Sequence, residues 1–566
     1  MTGEPGLAGV IPKRQGKKGD GMIRLKTSIF LTLVIFVCIA CSSGYYLHQD
    51  DLRDDLYILG EARNDDDSVK ICKIIEAIIS VIDDKHEYSP IRVTNPLHGA
   101  LFPIDIASPV IEWTDTDCGA SLWLAQVTFT GEEQTVNYLT GGTTWTPDRK
   151  TWELIKKHSL NERAVLSVYG INTEDGITIA GRGRVSFSTS ADSVGAPILY
   201  MQLPLPFAFA QKHPDLFRWL LADLSSYEKP PVVLKNMPVC GNCHSFSRDG
   251  KVIGMDIDYR GDKGGYLLAD MGKTMKVTPE DIISWNELQG SNTSTLSFGF
   301  FPKVSPDGRY VIATVKEKSF FISLNDPAFS QFFFPAAGVL SYYVSSDKTF
   351  HLLAGADDPA FVQTCPDWSY DGKYIAFSRT RVNNDLVDLV VKKTLNNVDP
   401  DTPLSVLNEK YQIQYDLYRV PFNNGRGGIP EPIPGASGNG MSNYFPRYSP
   451  DGKWIVFCKS KSGVALQPDS RLYIIPAGGG TARELTANRH VMNSWHSWSP
   501  NGRWLAFSSK EKGPLTVTYL CHIDEKGNDS VPVLLSRLQD RNRSNMVPEF
   551  GNIKPDTFQH LRIGEF

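Results

Sequence analysis

The chain has 566 residues, with 58 basic against 63 acidic, a net charge of −5, and 41% apolar and 11% aromatic residues. That balance excludes wholesale disorder. Beyond the first 26 residues there is no clustered Lys/Arg of the kind nucleic-acid binders carry. Gly (47) and Pro (36) are frequent enough to point to many turns and short strands, not to a helical bundle.

Lys13, Arg14, Lys17, Lys18, Arg24 and Lys26 precede an apolar run from Ile29 to Ala40. The run is too short for a membrane-spanning helix, which needs about 20 residues. A basic region followed by a short apolar core and small residues is a secretory leader, with Met22 as an alternative start. Its end, Cys38-Ile39-Ala40-Cys41-Ser42-Ser43, resembles a bacterial lipobox with Cys41 as the lipidated residue; Cys38 stands where that motif usually has Leu. Residues 1–41 are therefore read as signal peptide and lipobox. The resemblance implies a periplasmic or outer-membrane, cell-surface lipoprotein held to the membrane by its lipid.

Residues 42–94 read as a spacer, acidic around Asp50–Asp55 and Asp65–Asp67. Ile74, Ile75, Ile78 and Ile79 recur at helical spacing and predict a short helix docking on the body. Residues 95–192 read as short strands separated by Gly-Gly and Pro-Asp turns, the pattern of a β-sandwich similar to immunoglobulin or fibronectin modules. Its Trp113, Trp123, Trp145 and Trp152 are candidates for core packing or for a carbohydrate platform.

Five later segments share one template: Phe246-Ser247-Arg248-Asp249-Gly250-Lys251, Val304-Ser305-Pro306-Asp307-Gly308-Arg309, Trp368-Ser369-Tyr370-Asp371-Gly372-Lys373, Tyr448-Ser449-Pro450-Asp451-Gly452-Lys453 and Trp498-Ser499-Pro500-Asn501-Gly502-Arg503. Each leads into an apolar strand. Asp-Gly makes a tight turn because Gly accepts positive φ, and Pro presets the dihedral before it. The spacing of the turns suits a four-stranded blade with variable loops. The repeat resembles that of TolB-like β-propellers and covers residues 195–566. The resemblance implies an all-β propeller, expected to have six blades, with five or seven also open, and a degenerate one around Ser341–Gly355. It also implies that the segment before each turn lies in the innermost strand, beside the central channel.

A propeller does not name a function. The chain contains no G-x-S-x-G elbow, P-loop or H-E-x-x-H motif, so no hydrolase nucleophile is expected. A lyase or glycosidase reading lacks any motif; Asp256 and Asp258 share one face of a strand but show no catalytic pairing.

One motif carries chemistry. Cys240-Gly241-Asn242-Cys243-His244 is C-x-x-C-H, the attachment sequence of c-type haem. Cys240 and Cys243 would bond the vinyl groups and His244 would bind the iron as proximal ligand. Met255 and His496 are candidates for the opposite face, with Met237, Met271, Met275 and Met546 also open. Counting back five from each turn Asp or Asn, however, reaches His244, Pro302, Pro366, Pro446 and His496, and counting back six reaches Cys243 and Cys365. The motif therefore also reads as repeat structure with a disulfide or plain thiols, or as a metal set of Cys243, His244, Cys365 and His496. The expected function is a haem c redox module that transfers electrons or senses redox state in the envelope, with an envelope redox partner. The alternative is a haem-free scaffold that binds a protein, peptide or glycan.

Overall fold

The computed structural model describes residues 56–59, 65–115, 118–173, 176–236, 241–289 and 296–563. The leader, Cys41, Met237 and Cys240 lie outside the described residues. No described helix is long and apolar enough to cross a membrane.

A strand, Leu56–Leu59, and a helix, Asp65–Ser80, open the described body. The helix buries Ile75 and Ile78 against Leu124, Tyr169 and Ile171, while Ile74 faces outward, as the spacing of apolar residues predicts. The eight strands from Ser89–Asn95 to Thr178–Ser190 join Leu56–Leu59 in one nine-stranded network. Within it the strand-only expectation fails once: Arg149–His158 is a helix. The Asp148 carboxylate caps it by accepting from the Thr151 amide at 3.1 Å, and Trp152 and Ile155 form its buried stripe. Trp113, Trp123, Trp145 and Trp152 are all buried, so their rings are core and not a platform.

From residue 198 onward the chain forms antiparallel sheets in sequence, with one parallel pair, Thr274–Val277 beside His560–Ile563. Sheet 1 comprises Ile198–Leu203, Arg218–Ala222 and Val232–Lys235, completed by the distant strand Ser544–Phe550. Sheet 2 comprises Gly241–Phe246, Val252–Ile257, Gly265–Asp270 and Ile282–Ser284. Sheet 3 has eight strands in two halves, Phe300–Leu352 and Phe361–Pro432, joined by one bridge between Gly338 and Val362. Sheet 4 runs from Ser442–Tyr448 to Arg483–Glu484, and sheet 5 from Asn493–Trp498 to Val533–Leu534. The five strands that precede the turns and a sixth, 544–550, touch in cyclic order: 241–246, 300–304, 361–368, 442–448, 493–498, 544–550 and back to 241–246. This is a propeller-like arrangement around a central axis.

The expected degenerate repeat around Ser341–Gly355 is not one. Gln331–Val344 and Thr349–Leu352 are the outer strands of the half-sheet that begins at Phe300. The extra inner strand is Ser544–Phe550, which no Asp-Gly turn follows.

The five turns repeat one set of hydrogen bonds. In the fourth, Ser449 Oγ donates to Asp451 Oδ1 at 2.6 Å and accepts from the Trp454 amide at 3.0 Å, while the Lys453 amide donates to Asp451 Oδ1 at 3.1 Å. Gly250, Gly308, Gly372, Gly452 and Gly502 all lie between φ 69° and 72°, a region costly for side chains. Trp368 Nε1 reaches across to the Lys303 carbonyl at 3.1 Å and Trp498 Nε1 to that of Arg447 at 3.2 Å, tying neighbouring sheets.

The N-terminal module packs over the joint between sheets 1 and 5. Phe102, Ile106 and Trp152 share one core with Ile198, Leu220, Trp504, Leu520 and Val533. Asp192 meets His522 Nε2 at 2.6 Å, and its carbonyl accepts from Trp504 Nε1 at 3.2 Å.

Candidate functional site

Each inner strand carries a bulge just before its turn. The register slips between Gly241 and His244, Phe300 and Lys303, Thr364 and Asp367, Tyr444 and Arg447, and Ser494 and Ser497, and likewise in the strand of Met546 and Glu549. Phe301, Cys365, Phe445, Trp495 and Val547 occupy equivalent bulge positions at φ 42–55°. Bulges re-aim side chains, and here they turn two rings of residues toward the axis. One holds Cys243, Phe301, Cys365, Phe445, Trp495 and Val547; the other includes Lys303, Arg447 and Glu549.

The second ring forms a buried ionic network. Glu549 contacts Arg447 Nη2 and lies 3.3 Å from Lys303 Nζ, and Arg447 Nη1 lies 3.8 Å from Asp367. Burial pushes Glu549 up, but Arg447 and Lys303 outweigh it and hold the carboxyl at about 2. Asp367 goes the other way: burial raises it against the pull of Arg447 and Lys303. Two cations and two carboxylates make up this network, and Ser497 Oγ and the Tyr448 amide donate to Glu549 and Asp367 from its margin.

The residues of the C-x-x-C-H motif part company in the strand. Cys243 lines the axial cavity, a free, half-buried thiol whose pKa burial and then Asp256 push well above the ordinary value. His244, the next residue, is wholly buried on the opposite side, its Nε2 3.0 Å from the Leu199 carbonyl of sheet 1. Cys243 sits against Asp256, whereas His244 pairs across the ladder with Met255, and Met255 and Asp256 point to opposite faces of their regular strand. His496, at the same repeat position, makes the same contact: its Nε2 lies 3.0 Å from the Val456 carbonyl of sheet 4. Facing a carbonyl, each Nε2 must carry the proton and donate.

Of the motif's described residues, Cys243 and His244 are not placed to hold one haem between them as folded. The imidazole nitrogen an iron would need is spent on a carbonyl, on the far side of the strand from the Cys243 thiol. The cavity that Cys243 lines is about 50 Å³, whereas a group of porphyrin size needs roughly 300 Å³ or more. Met255 is buried in the core between sheets 1 and 2, paired across the ladder with His244. Met275 and Met546 lie in that same core, with Met271 packed against it. The metal set is not assembled either: Cys243, Cys365 and His496 border one cavity, but both histidines point their Nε2 at carbonyls, and no group of three metal-ligating side chains occurs among the described residues. Asp256 accepts from the Cys243 amide at 3.2 Å, and Asp258 pairs with Lys263 at 2.7 Å, so the two carboxylates serve separate partners.

A larger concavity lies on the face that carries the turns. It is a groove of about 550 Å³ between sheet 2 and both halves of sheet 3, bordered by Arg248, Asp307, Tyr310, Tyr370, Asp371 and Tyr374 among others. Three of the five turns have Pro before Asp or Asn, and two do not: they have Arg248 and Tyr370. The guanidinium of Arg248 lies 3.7 Å from the centroid of the Tyr370 ring, so the two departures from the repeat meet. Both residues stand in the repeat as written; the signal that marks them is their shared departure from Pro.

No family model matches the chain, and no curated protein matches it. Among solved structures it is similar to a periplasmic gluconolactonase from Pseudomonas aeruginosa (TM-score 0.30, 11% identity, 62% of this chain and 100% of that one). It is also similar to a gluconolactonase from Xanthomonas campestris (TM-score 0.30, 12% identity, 61% and 89%). An oligogalacturonate lyase from Vibrio parahaemolyticus is similar at TM-score 0.29 and 11% identity, over 55% of this chain and 85% of that one.

Proposed function

We propose that the protein is an exported, lipid-anchored propeller scaffold that binds a ligand on its turn face and carries no haem on the Cys240–His244 motif. The observation that supports this reading most directly is the placement of Cys243 and His244 on opposite faces of one strand, with the imidazole committed to the Leu199 carbonyl. A haem tethered at Cys243 would have to break that bond and open the joint between sheets 1 and 2. The groove at Arg248 and Tyr370 supplies the binding surface the scaffold reading requires.

In this reading each half of sheet 3 is a blade of its own, so the propeller has six. The first is closed by Ser544–Phe550. The leader exports the chain and Cys41 takes the lipid, leaving the propeller in the periplasm or at the cell surface. The test is a visible spectrum and a haem stain after denaturing electrophoresis of the full chain, expressed with the c-type maturation machinery beside a control cytochrome. A colourless band is expected. A band that keeps haem, and loses it in Cys243→Ala, overturns the reading in favour of a redox module.

A further inference from the structure

The turn-face groove has a chemistry the rest of the repeat lacks. Of its three cations, Arg309 pairs with Asp307 at 2.6 Å and Lys373 with Asp371 at 3.0 Å, both within their own turns. Arg248 forms no ion pair among the described residues, because the neighbouring Asp249 is taken by Lys251 at 2.9 Å. Its guanidinium is exposed, and its flat face is occupied by the Tyr370 ring. Stacking uses the face of a guanidinium and leaves its in-plane N–H groups free, the fork that matches a carboxylate. The groove thus holds one uncompensated positive charge, oriented by an aromatic ring, with Tyr310 and Tyr374 beside it.

The main chain around the groove offers little to a peptide strand. The Gly308 amide is bonded to Ser305, that of Gly372 to Ser369, and that of Gly425 to Phe422. Strand addition needs an unpaired edge, so recognition here falls to side chains: tyrosine rings, two carboxylates already in place, and the free guanidinium edge. The volume, about 550 Å³, is in the range of pockets for small ligands, roughly 300–1,000 Å³.

We propose that this groove binds a carboxylate-bearing oligosaccharide, the carboxylate forked by Arg248 and the sugar rings laid against the exposed Tyr374 ring and the side of Tyr370 that Arg248 leaves open. The inference rests on the scaffold reading above and names the ligand class for it. The test is calorimetric titration of the full chain with a uronic-acid trimer, its neutral trihexose counterpart and an acidic tripeptide. The uronate trimer is expected to bind, with the neutral trimer weaker by about 10- to 100-fold, the range of a lost hydrogen bond to a charged group. Arg248→Ala should lose that same factor for the uronate while leaving the melting temperature unchanged. Arg248→Lys should restore only part of it, because an ammonium cannot fork a carboxylate.

Equal binding of the two trimers, no binding of the uronate, or an unaffected Arg248→Ala variant overturns the proposal. Tighter binding of the tripeptide overturns the saccharide assignment as well. The spectrum separates the two levels. A colourless protein that ignores uronate refutes this inference alone, whereas covalent haem refutes the scaffold reading beneath it.

Discussion

His496 should make the propeller acid-sensitive, and replacing it with the residue its repeat otherwise uses should remove that sensitivity. The imidazole is buried and its Nε2 donates to the Val456 carbonyl. Burial lowers its pKa from the ordinary 6.5 to about 3, with Arg447 and Lys303 nearby adding to the depression while the Val456 bond and Glu549 oppose it. Cys458 Sγ lies 3.8 Å from its Nδ1. A group whose folded pKa lies below its unfolded one stabilises fully above the unfolded value. That stability drains away as pH falls toward the folded value. Between about pH 7.5 and about pH 4.5 the unfolded imidazole takes up a proton that the folded one refuses, and the difference integrates to about 2.7 kcal/mol. His496→Pro is the clean perturbation. Pro302, Pro366, Pro446 and Pro548 occupy the equivalent position after residues of matching positive φ, so the backbone already accommodates the ring. Urea unfolding of both proteins at the two pH values isolates the contribution, since whatever the substitution costs through the lost hydrogen bond is the same at each. Wild type should lose about 2.7 kcal/mol more than the variant on acidification. If the two lose the same amount to within about 1 kcal/mol, His496 is not the buried neutral donor described above.

Two further outcomes follow from the ring and the turns. Glu549→Gln leaves Arg447 and Lys303 facing only Asp367, and should cost about 3–5 kcal/mol in urea unfolding, as breaking a buried ion pair does; a loss under about 1 kcal/mol would mean the network is wet. Gly452→Ala and Gly250→Ala both place a side chain at φ 70° and share a strain of about 1–2 kcal/mol. Gly452 opens on free space, whereas a Cβ at Gly250 would sit 2.3 Å from the Asn552 carbonyl oxygen. Thermal melts should therefore rank Gly250→Ala well below Gly452→Ala, and equal melting would refute the close approach.

The parts of this fold that were legible in the sequence are those governed by local chemistry. The Ser-x-Asp-Gly turns announce themselves because their side-chain hydrogen bonds span only five residues. The alternation of Pro and His five residues before each turn marked His244 as a repeat position. Which way His244 points could not be read there. C-x-x-C-H is the same string whether its residues lie in a helical turn or a strand, and only strand pairing separates the Cys243 thiol from the imidazole. The inner strand Ser544–Phe550 was missed because it ends without a turn motif. Its Met546-Val547-Pro548-Glu549 nonetheless carries the bulge, the Pro and the channel carboxylate of its counterparts. The helix at Arg149–His158 was hidden by its shortness, although Asp148 and the Trp152/Ile155 stripe were present as signals. Lys303, Asp367 and Arg447 stand four residues before their turn Asp, and Glu549 holds the matching place in the strand that no turn follows, yet charges that partner across a channel leave no trace in any one segment.

The closing strand has a consequence for how the molecule is made. Gln202 and Asn545 hydrogen-bond across 343 residues of chain, so sheet 1 waits with a bare edge, Ile198–Leu203, until the far strand has been synthesised. Such an edge is a template for pairing with a neighbouring chain, and slow, long-range pairing prolongs the hazard. The N-terminal module precedes this edge in the chain and packs over the same joint. Through Ile198 and Leu220 it covers one apolar face of that sheet, so what waits for the far strand is the hydrogen-bonding edge itself.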